Sequence, residues 1–310
     1  MDLDFFVQQL VNGLTLGSVY ALIALGWTMV YGILKVLHFA HGEVYMMGAF
    51  IGYGVLTVLG GPLAPVLPLV PLLIVMFVVA MVGSGLLGVA IERFAYRPLR
   101  DAPRMSPFIA ALGVAFFLQS TALLLFSADI RSYNTFDLAE GRLFEAGIHA
   151  GPLHISLVRI IVICVTFALM VGLTLLVSRT RMGKAMRATS YDREAAAMMG
   201  IDVDRVVVFT FFVVSALAGA AGVMVGLVFQ RVYHLMGFIV GLKGFTAAVI
   251  GGLGNIPGAM VGGLAIGLAE AFATGYISTT FSDLVVFAIL IAVLVTRPSG
   301  LFGKAELKRT

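Results

Sequence analysis

In a 310-residue chain that mostly avoids charge, the stretch Lys35–Ala49 (KVLHFAHGEVYMMGA) brings His38, His41 and Glu43 close together. Imidazoles and a carboxylate serve as metal ligands, as proton carriers, or as hydrogen-bond partners for irregular backbone. The spacing H-x-x-H-x-E supplies no evident fourth ligand, and it is not the H-E-x-x-H pattern of a metalloprotease. No metal is assigned, and a membrane metalloenzyme built on His38 and His41 is the reading that bound metal would favour. The cluster otherwise reads as structural hydrogen bonding at a helix break or as lining of a path through the protein. Lys243 and Glu270 also stand inside apolar sequence, where charge is costly unless paired, solvated or near the interface. Lys243 reads as interfacial or ion-paired; Glu270 reads equally as an ion-pair member or as a functional contact. Gly183-Lys184 and Gly303-Lys304 lack the earlier glycine and the following Ser or Thr of a phosphate-binding loop, so no nucleotide site is expected. The single Cys164 excludes a disulfide within the chain.

The elements that carry these residues follow from composition. The chain is 60% hydrophobic and only 12% charged, with a mean hydropathy of +1.05. Soluble domains carry roughly a quarter of their residues as charges, so lipid is the expected solvent. Apolar runs at 5–34, 44–91, 105–128, 160–178, 206–230 and 244–269 reach or exceed the ~20 residues that cross hydrocarbon. They show none of the alternation of a membrane β-barrel. The run 44–91 is long enough for two helices, with Gly60–Pro71 as the break. Lys35–Ala49 has no loop-like sequence and is expected to be a broken or re-entrant element, which needs burial in protein or water. Both 238–256 and 258–275 are expected to cross, for eight crossings. Asn255 and Pro257 are helix-start residues, so a half-helix from Asn255 is expected to aim its positive end into the membrane. Gly258/Gly262 and Gly263/Gly267 offer small faces for close packing. The fold class is therefore all-α and polytopic, about eight transmembrane helices with one or two broken elements, in a single domain over 1–310.

The net charge of +4 is explained by topology rather than by nucleic acid. Lys and Arg concentrate in 93–104, in 178–205 and in the tail, whereas 129–154 is net acidic. The positive-inside rule puts the basic regions in the cytoplasm and 129–154 outside. Met1–Phe6 lacks a basic start, so a cleavable signal is not expected. The coupling loop about 179–205 holds DREAAAMMGI: Asp192 suits a helix cap, Arg193–Met199 favour helix, and Gly200 suits a left-handed end. A helix this short persists only when packed, and it reads as a docking element.

Asn12–Ile33, Phe39–Met47, Glu92–Pro98 (ERFAYRP), Arg181–Gly183, Met199–Val206 and Lys243–Ala271 together resemble the LivH-type permease subunits of high-affinity branched-chain amino-acid ABC importers. Urea-type permeases are near cousins. The likeness spans nearly the whole chain, with little in 129–154. Glu194–Ala196 and Gly200 match the start of the general ABC-permease loop pattern, but no Ile-x-Leu-Pro follows. The resemblance implies a permease, not an enzyme, in a bacterial inner membrane, carrying branched-chain or similar apolar amino acids. It implies a second permease subunit, two cytoplasmic ATPase subunits holding ATP and Mg, and a periplasmic binding protein. ATPase coupling falls to Asp192, Glu194, Ala195, Ala196, Met199 and Gly200. Path residues are Asn12, His38, His41, Glu43, Asn255, Gly258 and Glu270. The rival readings are a urea or short-amide permease and a stand-alone secondary transporter.

Overall fold

In hydrocarbon every backbone polar group must be satisfied within the chain, which leaves helix as the element for these apolar runs. The computed structural model describes residues 3–60, 69–100, 102–103, 105–133, 147–150 and 153–303. Most of the Gly60–Pro71 break, much of 129–154 and the tail beyond 303 lie outside the described residues. Helices α1 (Leu3–Leu34), α2 (His41–Gly60), α3 (Leu69–Ile91), α4 (Met105–Phe126) and α5 (Leu157–Arg179) come first. After them run α6 (Arg181–Tyr191), α7 (Arg193–Met198), α8 (Val203–Phe229), α9 (Met236–Gly251), α10 (Ile256–Tyr276) and α11 (Ser282–Thr296). The described residues also hold two short antiparallel strand pairs, β1 (Arg131–Ser132) with β4 (Arg231–Val232) and β2 (Gly147–Ala150) with β3 (Leu153–Ser156).

Helices α1 and α8 form the core, α1 packed along α10, α8 and α9, and α8 along α3 and α2. Glycine allows the closest crossings. A Cβ on Gly263 or Gly267 would collide with Ala21 or Gly17 of α1, and one on Gly258 or Gly262 would collide with Gly251 or Ala247 of α9. The two small faces of α10 thus serve two different neighbours. The outermost helices, α4 and α11, keep most of their apolar surface exposed, a surface left for lipid or for other subunits.

Eight helices are long and apolar enough to cross a membrane, α11 counted with the 3-10 turn Thr279–Phe281 that leads into it as one 18-residue run. The exception is α9, which at 16 residues falls short of a crossing and is narrower than the 238–256 span read from sequence. Its start explains the difference: Gly237 and Gly241 meet Gly42 in the first turn of α2. Helix α2 itself begins at depth, because His41 lies against Gly26 of α1, eight residues or about 12 Å before the end of that helix. Both α2 and α9 are therefore the helical parts of broken crossings. Each break opens on a left-handed residue that ends the long helix before it, Lys35 (φ 56°) after α1 and Gln230 (φ 55°) after α8. Each then continues Val-x-His, as Val36-Leu37-His38 and Val232-Tyr233-His234. The expected break at Lys35–Ala49 is present, and a second of opposite direction faces it.

The three basic regions gather at one end. Arg193 reaches Ile33, Arg97 and Arg100 pair with Asp204, and Asn255 bonds the Phe302 carbonyl. At the other end Phe5 meets Tyr276, Asn12 meets Arg159, and β1 pairs with β4.

Candidate functional site

At the basic end the loop expected over 179–205 is mostly helical. Thr180 caps α6, its side chain accepting from the Gly183 N–H at 2.9 Å. Helix α6 is amphipathic, burying Gly183, Met186 and Thr189 three residues apart. Reading 179–205 as a loop with one short helix missed α6, although the Met182/Met186 spacing carries the signal. Asp192 closes α6 and opens α7, accepting from the Ala195 N–H at 3.0 Å. Gly200 takes φ 82°. Its N–H bonds the Ala197 carbonyl at 2.9 Å, and the Ile201 N–H bonds that of Ala196 at 3.1 Å, the paired bonds that terminate a helix on a left-handed residue.

Helix α7 packs inward through Ala196, which is buried, with Ala195 half-buried and Glu194 exposed. The Met198 and Met199 side, on which a docking partner would pack, is left bare. Met198 and Met199 stand 82% and 83% exposed, with Tyr191 beside them at 94%. Three large apolar side chains so bare at the cytoplasmic end form a surface that a protein partner would cover. The inward anchor is Arg193, which sequence reading left among the general basic charge. Its Nε and Nη2 both donate to the Ile33 carbonyl, at 3.0 and 2.7 Å, so a guanidinium satisfies the negative end of α1. Burial, with the charge of Arg100 added, pulls the Arg193 pKa down from the arginine range. A push on α7 therefore has a direct mechanical route to the last turn of the core helix.

That turn leads into the buried break. His38, His41 and Glu43 are all enclosed. His38 Nδ1 bonds the Tyr96 hydroxyl at 2.8 Å, and its ring packs on Tyr96 and Phe211. Tyr96 belongs to Glu92–Tyr96, the first five residues of the ERFAYRP motif, which form a π-helical turn after α3. His41 lies 5.8 Å from His38, centroid to centroid, in the space that a side chain on Gly26 would fill. Glu43 sits in the first turn of α2 and reaches over Gly237 in the first turn of α9. One carboxylate thus faces two positive helix ends in the interior, where such ends favour an anion. Glu43 and Trp27 also line a cleft with Phe39, Gln119 and Phe238.

The remaining candidates lie apart from this break. Asn12 is at the opposite end of α1, beside Gln9 and Arg159. Asn255 caps α10 by accepting from the Gly258 N–H at 3.1 Å, but it does so at the basic end, where its amide also bonds Phe302 at 2.7 Å. The positive end of α10 therefore faces the cytoplasmic surface and not the membrane interior, correcting the half-helix expectation. The reason is that α9, not α10, is the shortened helix. Gly258 is a packing contact against Gly251. Glu270 is buried in an ion pair: Lys243 donates to Oε1 at 2.7 Å and the Tyr20 hydroxyl to Oε2 at 2.8 Å.

The family model for "Branched-chain amino acid transport system / permease component" matches residues 9–294. The high-affinity branched-chain amino acid transport system permease protein BraD of Pseudomonas aeruginosa is 41% identical over 311 residues, covering 99% of either chain. LivH of Escherichia coli K12, a permease protein of the same description, is 41% identical over 306 residues and 98% of either chain. A probable LivH of Methanocaldococcus jannaschii is 28% identical over 308 residues, 97% of this chain and 94% of its own.

Proposed function

This chain belongs to the family of permease components of branched-chain amino acid transport systems, and we propose that it forms half of an importer's path for branched-chain or similar apolar amino acids. It is a multi-pass permease of the bacterial inner membrane. The observation that carries the substrate class is full-length identity to permeases named for that transport. In this reading a second, similar permease completes the path and a periplasmic binding protein delivers the amino acid. Two cytoplasmic ATPase subunits, holding ATP and Mg, drive the cycle. Their point of contact is α7: the exposed Met198, Met199 and Tyr191 would fill a groove on the ATPase. Asp192 and Gly200 hold the helix ends, Ala195 and Ala196 hold its packing, and Glu194 is free for the partner. Closure of the ATPase pair would move α7, and through Arg193 and Ile33 would move α1 and the break at His38, His41 and Glu43. That switch of access is a shift between two discrete packings. Asn12, Asn255, Gly258 and Glu270 then act in support, at the two ends and in a locked ion pair.

The test is ATP-dependent uptake of labelled leucine in vesicles holding this chain with its candidate partners, wild type against Gly200→Trp. Wild type is expected to import leucine, and the substitution to abolish uptake while the complex still assembles. Uptake without any ATPase subunit would overturn the ABC reading in favour of a secondary transporter. Uptake of urea but not leucine would reassign the substrate. Intact ATP-driven uptake in Gly200→Trp would remove α7 from the mechanism.

A further inference from the structure

Lys243 has a second partner. Its Nζ lies 2.7 Å from Asp283 Oδ1 as well as from Glu270 Oε1, with the Tyr20 ring 5.9 Å away. The cluster ties α1, α9, α10 and α11 together and carries one positive and two negative charges, a net of −1. Its members are not equally enclosed. The Lys243 and Glu270 side chains are 7% and 11% exposed, whereas that of Asp283 is 51% exposed.

Depth makes that exposure informative. Glu270 stands fourteen residues from the start of α10, and Tyr20 fourteen from the end of α1, each about 21 Å from the cytoplasmic end. Hydrocarbon is about 30 Å thick, so the cluster lies well inside it. Helix α11 is 15 residues long and begins beside the cluster; its first turn is submerged, and Asp283 opens onto a surface at that level. Ionisable groups at such depth face protein or water, not lipid. Glu270 already has a partner at each oxygen and is enclosed. Asp283 carries the excess charge and the open face. If two copies met with Asp283 beside a two-fold axis, Asp283 would oppose Asp283 in a low dielectric, a repulsive arrangement.

We propose that Asp283 lines the aqueous path, where its carboxylate takes the α-ammonium group of the passing amino acid, while Lys243, Glu270 and Tyr20 fix its position. The ammonium role rests on the amino-acid reading above; the location does not. The location is tested in membranes holding the whole transporter, with Cys164→Ser as background and Asp283→Cys as the single thiol of this chain, whose labelling is read on this chain. A cationic, membrane-impermeant methanethiosulfonate is applied from both sides. Labelling at least about tenfold faster than at Phe117→Cys, an exposed mid-depth site on α4, is expected. No labelling from either side, or a disulfide formed through position 283 to a neighbouring permease, would overturn the location. For the ammonium role, Asp283→Asn is expected to cut leucine uptake by about tenfold or more, with Asp283→Glu retaining most of it. Uptake by Asp283→Asn at the wild-type rate would overturn that role. A wild-type complex that fails to import leucine would sink the substrate reading and leave the labelling result standing.

Discussion

Gly26 and His41 make the closest approach at the break, and they show what a single residue decides. A Cβ on Gly26 would meet the imidazole directly, so Gly26→Ala must displace His41 or part α1 from α2. Overpacking of this kind costs about 1–3 kcal/mol. The purified variant is expected to melt several degrees below wild type, and an unchanged melting temperature would show that His41 is free to move aside. His38, His41 and Glu43 were legible in the sequence because each is a polar residue in an apolar run. Asp283 was not. An acid at the start of a span reads as an ordinary helix cap, and its partner Lys243 stands forty residues away. Arg193 was illegible for a related reason: its acceptor is a backbone carbonyl, which no residue type announces.

Among elements, α7 has the sharpest sequence signature, a capping Asp192 and a terminating Gly200 six helical residues apart. Both do what their types predict. Its neighbour α6 was hidden because basic residues fill its outer face and its buried face is only Gly183, Met186 and Thr189. The fork from Arg193 to Ile33 is the only side-chain hydrogen bond from α7 to α1 among the described residues. Arg193→Ala is therefore expected to separate the two activities of the assembled transporter. ATP hydrolysis would persist, while leucine uptake falls by at least about fivefold, the low end of an ordinary coupling energy. Arg193→Lys is expected to restore little, since an ammonium is a point donor and the carbonyl here takes two guanidinium N–H groups. Equal loss of hydrolysis and uptake in Arg193→Ala would mean that the fork holds the fold together and transmits nothing.

At the scale of the whole molecule, apolar runs are easier to read from sequence than helix depth. Hydropathy finds an apolar run but cannot tell a helix that starts at the surface from one that starts 12 Å inside. Depth at α2, α9 and α11 is set by tertiary contacts, His41 on Gly26, Gly42 on Gly237 and Asp283 on Lys243. Counting the broken crossing that ends in α9 with the eight long helices gives nine passages, one more than the eight expected from sequence, and the contacts fix their alternation. Helices α1, α3, α5, α9 and α11 run toward the end where Arg193 meets Ile33 and Arg100 meets Asp204; α2, α4, α8 and α10 run away from it. The basic residues at that end make it cytoplasmic, so the start of α1 lies outside and the end of α11 inside. This settles the side of the N-terminus, which composition left open. A phosphatase that folds only outside the membrane is expected to be active when fused before Leu3 and inactive when fused after Gly303. Activity at both ends would require an even number of passages, and would return α9 to a hairpin that enters and leaves on one side.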